Sequence, residues 1–179
     1  MAEATAAPPQ VESGAIADGV ERRLDPRAVD LERAAGWIAT GVTSFGLLVG
    51  LAILLIQASL PRWSTVPFAA AWGAATLALG LGLHRWAEVA HRHTSYRVDG
   101  QGIEIRKGVF WRAVISVPRS RVQHTDVSQG PLERGYGLGT LVVYTAGTDY
   151  ARVELPGLDH ATALRIRDHL LPREGDDAV

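Results

Sequence analysis

Three sets of side chains in this 179-residue chain have types and spacings that could do chemistry. His84, Glu88 and His91 stand at i, i+4 and i+7 with His93 close by, so one helix face would carry three zinc-type ligands. Ser116, Ser120, Ser128, His124 and Asp126 supply the residue types of a nucleophile, a base and an orienting acid, and His124 and Asp126 share a face if they lie on one strand. Gly135, Gly137 and Gly139, in the run from Arg134 to Thr140, resemble a phosphate-binding loop. Each set lacks something its chemistry needs. The histidines fall at the end of a long apolar segment, where polar tips reach lipid headgroups, and no fourth ligand is identifiable. No nucleophile-elbow motif frames any serine. A phosphate loop needs a strand before it and a helix after it, but here a strand follows and the stretch holds no lysine. We therefore expect no catalytic residues, no metal site and no cofactor.

The elements that would position these residues fall into two parts. Residues 34 to 83 carry a single charge, Arg62, in a chain with 18 basic and 19 acidic residues. Gly36 to Leu60 is uncharged, and a helix of that length spans about 37 Å, more than the ~30 Å hydrocarbon core of a bilayer. Trp63 to Leu83 is a second uncharged run, and Pro61, Arg62, Ser64 and Pro67 mark a turn between them. Basic residues flank the pair on one side: Arg22, Arg23, Arg27 and Arg33 before it, and Arg85, Arg92 and Arg97 after it. The positive-inside bias then places both termini in the cytoplasm, with Trp37 and Trp86 at the inner interface and Trp63 at the outer one. Gly46 and Gly50, and Ala70, Ala74, Ala78 and Gly82, form small-residue stripes that allow close helix approach in lipid. They fit either dimerisation or packing of the hairpin against itself, and the tethered neighbour favours the second.

Beyond the spans the apolar period changes to two. Tyr96 and Val98 lead to Asp99-Gly100, a hairpin signal, followed by Ile103 and Ile105. Strands are then expected around Val109 to Trp111, Ala113 to Val117, Arg121 to Ser128, Leu141 to Thr145 and Ala151 to Leu155, with a turn at Ala146 to Asp149. Asp159 is an N-cap candidate, and Ala163, Leu164, Ile166, Leu170 and Leu171 form the apolar side of a helix that stops at Pro172. Residues 1 to 30 mix Ala, Pro, Glu and Asp with no sustained apolar period, which reads as disorder. The division expected is a disordered cytoplasmic tail over 1–33, a transmembrane hairpin over 34–92 with spans at about 36–60 and 63–83, a folded domain over 93–172 and a disordered tail over 173–179. Zero cysteines remove disulfides, thiolate metal sites and thiol nucleophiles. The balanced charge gives no footprint for nucleic acid.

The run Val117-Pro118-Arg119-Ser120-Arg121-Val122-Gln123-His124, followed by Val127, Gln129, Pro131-Leu132, Arg134, Gly137-Leu138, Thr140-Leu141, Val143 and Thr145-Ala146-Gly147, is similar to the bacterial membrane-flanked PH-like family, the YdbS-like proteins. The resemblance covers residues 36 to 171. It implies a two-helix transmembrane hairpin followed by an α+β pleckstrin-homology-like (PH-like) domain, a bent antiparallel seven-strand barrel capped by a C-terminal helix. No catalytic residues carry over with it. Pro118, Gly137 and Gly139 then read as structural, and Leu132, Tyr136 and Leu138 as filling the barrel end.

The function expected is that of a non-enzymatic inner-membrane protein whose cytoplasmic domain binds another protein, a membrane protein of its own kind being the expected partner. Arg119, Arg121, His124 and Arg134 are the candidate partner contacts. The competing expectation is an anionic-lipid headgroup sensor using Arg106, Lys107 and Arg112 around the Gly108 turn; a membrane enzyme is a third. Residues 84 to 179 hold 13 basic and 12 acidic groups, so a basic patch there must be local. The lipid bilayer is the one firm partner expected, with no nucleic acid and no established small-molecule ligand.

Overall fold

The computed structural model describes residues 16–57, 62–146 and 151–171. Two long helices dominate one half, α1 (Arg27–Gln57) and α2 (Arg62–Arg92). Asp25 caps α1: its Oδ1 accepts the Arg27 backbone N–H at 2.9 Å, with Pro26 in the first turn, where a missing N–H costs nothing. The apolar stretches Arg27–Ile53 and Val66–Arg92 are long and apolar enough to cross a bilayer and bury only 11% and 6% of their most apolar windows, so most of their side chains face away from the rest of the protein. α2 begins at Arg62, so Arg62, Ser64 and Pro67 belong to the helix and not to the expected turn, whose residue 61 lies outside the described residues. The Trp63 side chain lies outside them too.

The helices meet through a narrow polar and small-residue seam. Ser44 and Thr76 hydrogen-bond at 3.0 Å, and Thr40 is buried with its hydroxyl on the Gly36 carbonyl. Gly80 lies directly under the Trp37 ring, leaving no room for a side chain there. Arg33 pairs with Glu88 at 2.8 Å where the helices leave the apolar zone. The expectation that Gly46 and Gly50 pack the hairpin against itself is not met, because neither has any atom within contact of where a side chain would stand. The helical phase of Trp37, Thr40 and Ser44 turns both glycines away.

Among the described residues the remaining elements are seven strands, two α-helices and one 3-10 turn (Arg119–Arg121): β1 (Glu21–Arg23), β2 (Ser95–Asp99), β3 (Gly102–Lys107), β4 (Ala113–Pro118), β5 (Val122–Ser128), α3 (Pro131–Tyr136), β6 (Leu138–Thr145), β7 (Arg152–Asp159) and α4 (His160–Leu170). They form two antiparallel sheets, β1-β2-β3-β4 and β5-β6-β7, and no closed barrel. Tyr96, Val98, Ile103, Ile105, Ile115 and Val117 from the first sheet face Val122, Leu141, Val143, Val153 and Leu155 from the second. Ala163, Ile166 and Leu170, all 0% exposed, close the open end between the sheets. Asp159 caps α4 through the Thr162 N–H, and Leu171, preceding Pro172, is extended as a pre-proline residue prefers.

Two expectations are corrected here. Residues 16–33 are not a disordered tail: Arg22 pairs with Tyr96 and Arg23 with Ser95, while Ile16, Leu24, Ala28 and Val29 are buried. β1 supplies the seventh strand, so the membrane hairpin is an insertion between the first two strands of one domain. The segment around Val109 to Trp111 is not a strand but part of the turn between β3 and β4, where Gly108 at φ 117° bends the chain back so tightly that a side chain would strike the Trp111 carbonyl. Residues 1–15, the 147–149 part of the expected turn and the 173–179 tail lie outside the described residues.

Candidate functional site

The sheet register identifies the end of the domain that faces the membrane. Arg23 is paired with Ser95, Ser95 with Arg106 and Arg106 with Val114, so one row across the first sheet lies where β1 leads into α1 and α2 leads into β2. The β3–β4 turn projects from this row. α3 lies at the same end of the second sheet, where the Arg27 guanidinium donates to the Tyr136 carbonyl at 3.2 Å.

Arg27 ties α1 to the domain. Its Nε and Nη2 donate to Asp25 at 2.9 and 2.8 Å, and Nη2 also meets Asp159 Oδ1 at 2.9 Å. The guanidinium beside Asp25 holds that carboxyl below the usual carboxylate range. Directly beneath, the Asp25 N–H donates to the Gly157 carbonyl at 3.0 Å. Gly157, at φ 76°, lets Ala28 approach so closely that a side chain at 157 would collide with it. The spanning helix is thus joined to the sheet by its own first turn rather than by a flexible link.

The residues singled out from sequence are spread over this frame. Arg106 is neutralised locally, by Glu104 at 2.8 Å and Glu21 at 3.5 Å. Lys107 and Arg112 are exposed on the β3–β4 turn and form no ion pair among the described residues. Arg119 donates to the Leu171 carbonyl at 2.9 Å, closing the C-terminal end of α4, and its backbone N–H meets the Gln101 carbonyl at 2.7 Å. Arg121 is exposed beside a groove between β4 and β5 lined by Val114, Ser116, Pro118, Thr145 and Ala146. His124 is exposed, its ring 5.9 Å from that of Tyr144. Arg134 is exposed on α3, beyond the far end of β5 from Arg121 and so roughly 20 Å away along the strand. The four candidate partner contacts therefore do not converge on one surface.

The other constellations are taken apart in the same way. Glu88 is engaged by Arg33, His93 Nδ1 is 2.7 Å from the Val89 carbonyl, and no cluster of three metal-type ligands forms among the described residues. Asp126 accepts from the Val127 N–H rather than from His124. Gly137 is the left-handed cap of α3 at φ 69°, so a helix precedes the glycine run and β6 follows it. Leu138 is fully buried as expected, whereas Leu132 is exposed on α3.

Sequence reasoning missed Phe110 and Trp111, 81% and 91% exposed at the tip of the β3–β4 turn. Phe110 stacks on Trp86 of α2, ring centroids 5.9 Å apart and planes 20° from parallel. Their signal was two adjacent aromatics between Lys107-Gly108 and Arg112, which break the alternation of a half-buried strand.

A family model described as a bacterial PH domain matches residues 38–174, most of the chain. The chain belongs to the bacterial PH-domain family. The UPF0699 transmembrane protein YdbS of Bacillus subtilis (strain 168) is 32% identical over 135 residues, which cover 74% of this chain and 81% of that protein. No solved structure matches the chain. The similarity supports a YdbS-like, membrane-embedded member of the bacterial PH-domain family, and the match begins beyond β1, the strand that completes this bacterial PH domain ahead of its spans.

Proposed function

We propose that this protein is a non-enzymatic binding module of the inner membrane, with both termini and the PH-like domain in the cytoplasm, and that it associates laterally with a membrane protein of its own kind. The observation that carries this is the gap between the two sheets. β4 ends one sheet and β5 begins the other, so among the described residues the outer edge of β4 has no neighbouring strand. Val114 is 62% exposed there and Ser116 is exposed beside it, above a groove continued by Arg121 and Thr145. An unpaired edge offers main-chain donors and acceptors to an added strand. Two spans confine the domain to the bilayer surface, which raises the effective concentration of partners in the same membrane.

Because the chain has no cysteine, a single Ser116→Cys variant reports on this edge alone. In native membranes a short bis-maleimide is expected to link two copies through residue 116, while Asp168→Cys, on the exposed side of α4, stays monomeric. Equal linking at both positions, or none at 116, would sink the reading. Reporter fusions after Val179 and within residues 58–61 test the orientation, which fails if the 179 fusion reports from outside.

A further inference from the structure

We propose that the β3–β4 turn, Lys107 to Arg112, is a second membrane contact: Phe110 and Trp111 sit in the interfacial layer of the leaflet beneath which the domain hangs, and Lys107 and Arg112 meet its phosphates. This rests on the spanning hairpin and is independent of the β4 edge.

Two observations converge on it. The first is the register, which puts this turn at the end of the sheet where α1 departs and α2 arrives. The second is depth. Trp86 lies three residues beyond Leu83, the last residue of the uncharged run, or about 4.5 Å along the helix axis. The headgroup layer on each side of the hydrocarbon core is about 5–7 Å thick, so Trp86 lies within it. Phe110 stacks on Trp86 and is therefore held at the same depth. Its neighbour Trp111 is 91% exposed and Phe110 is 81% exposed even with the stack in place.

Two adjacent, nearly bare aromatic rings are poorly suited to water, whereas indole is favoured at a bilayer interface. The flanking charges suit the same medium. Lys107 and Arg112 bracket the rings, and both are exposed and without an ion pair among the described residues, while Arg106, one residue farther into the sheet, is matched by Glu104 and Glu21. Unmatched cations beside apolar rings are the composition of an anionic lipid surface contact. Gly108 supplies the tight bend that brings both rings to the tip.

The experiment places a nitroxide on the full-length protein in vesicles of phosphatidylethanolamine and phosphatidylglycerol, using Trp111→Cys, Phe110→Cys and, as an aqueous reference, Asp168→Cys. Collision rates with oxygen, which concentrates in lipid, and with a water-soluble nickel chelate measure depth. At 110 and 111 the oxygen-to-nickel ratio is expected to be several-fold above that at 168, and adding Lys107→Ala with Arg112→Ala should lower it. A ratio at both positions equal to that at 168 would overturn the proposal. So would loss of both collision rates together, since that is the signature of burial against protein rather than lipid.

Discussion

The guanidinium of Arg27, at the start of the first spanning helix, meets the carboxylate of Asp159 at 2.9 Å, 132 positions later in the chain. Asp159 is also the N-cap of α4, the helix that closes the sheets. One carboxylate thus faces both the membrane helix and the core-closing helix. Asp159→Ala should cost about 0.5–2 kcal/mol through the lost cap. Asp159→Asn, which retains a capping oxygen but loses the charge, should recover most of that. Thermal melts in detergent check the order; equal loss in both variants would mean that the ion pair dominates.

Removing β1 should cripple the domain even though it lies outside the family match. Leu24→Ala deletes a buried side chain and is expected to cost about 2–5 kcal/mol. A fragment beginning at residue 94 leaves Tyr96 and Val98 without their covering strand, and its melting transition should be broadened or absent. Joining residues 16–25 to it through a short linker should restore a cooperative transition.

Asp25 gives the junction a direction of pH dependence. Its carboxyl is held below its ordinary value of 3.8, first by the hydrogen bond from Arg27. A depressed carboxylate pKa contributes stability that is complete above the unfolded value and is lost as pH falls through the folded one. Acidification below about pH 4 should therefore loosen the first turn of α1, with no matching change on the alkaline side. The Asp25 carboxyl carbon shift, followed by NMR, should show a midpoint below 3.8 that returns toward it in Arg27→Gln.

The two helices provide a paired test of how the hairpin packs. Gly80→Val has no room beneath Trp37 and should weaken the association of the spans, whereas Gly46→Val points into open space and should be tolerated. Proteolysis of the 58–61 link in lipid is the readout: faster cutting in the first variant and wild-type rates in the second. Faster cutting in Gly46→Val would assign that glycine to a contact between molecules.

The hairpin and six strands were legible because each has a strong local signal: long uncharged runs for α1 and α2, and alternation such as Ile103 with Ile105 or Ile115 with Val117. β1 was hidden because Glu21, Arg22 and Arg23 are all charged, and its apolar anchors Ile16 and Leu24 flank it without a period. A three-residue edge strand is recognisable only from its partner. Phe110 and Trp111 were misread for a different reason: apolar residues in sequence signal removal from water without saying whether protein or lipid provides the shelter. Arg119 carries the same charge as Arg121, and only the fold reveals that it closes the end of α4.

The placement of the hairpin between β1 and β2 bears on how the molecule is made. Arg23 must wait for Ser95, 72 positions downstream, and both spans are inserted in the interval. Neighbouring strands that could be joined by a few residues instead close over a long loop, which delays that pairing relative to β2 with β3. A chain with only one span inserted would strand β1 on the opposite side of the bilayer, leaving an open sheet edge that invites aggregation or degradation. Completion of the sheet is therefore denied to any molecule in which just one of the two spans has crossed the membrane.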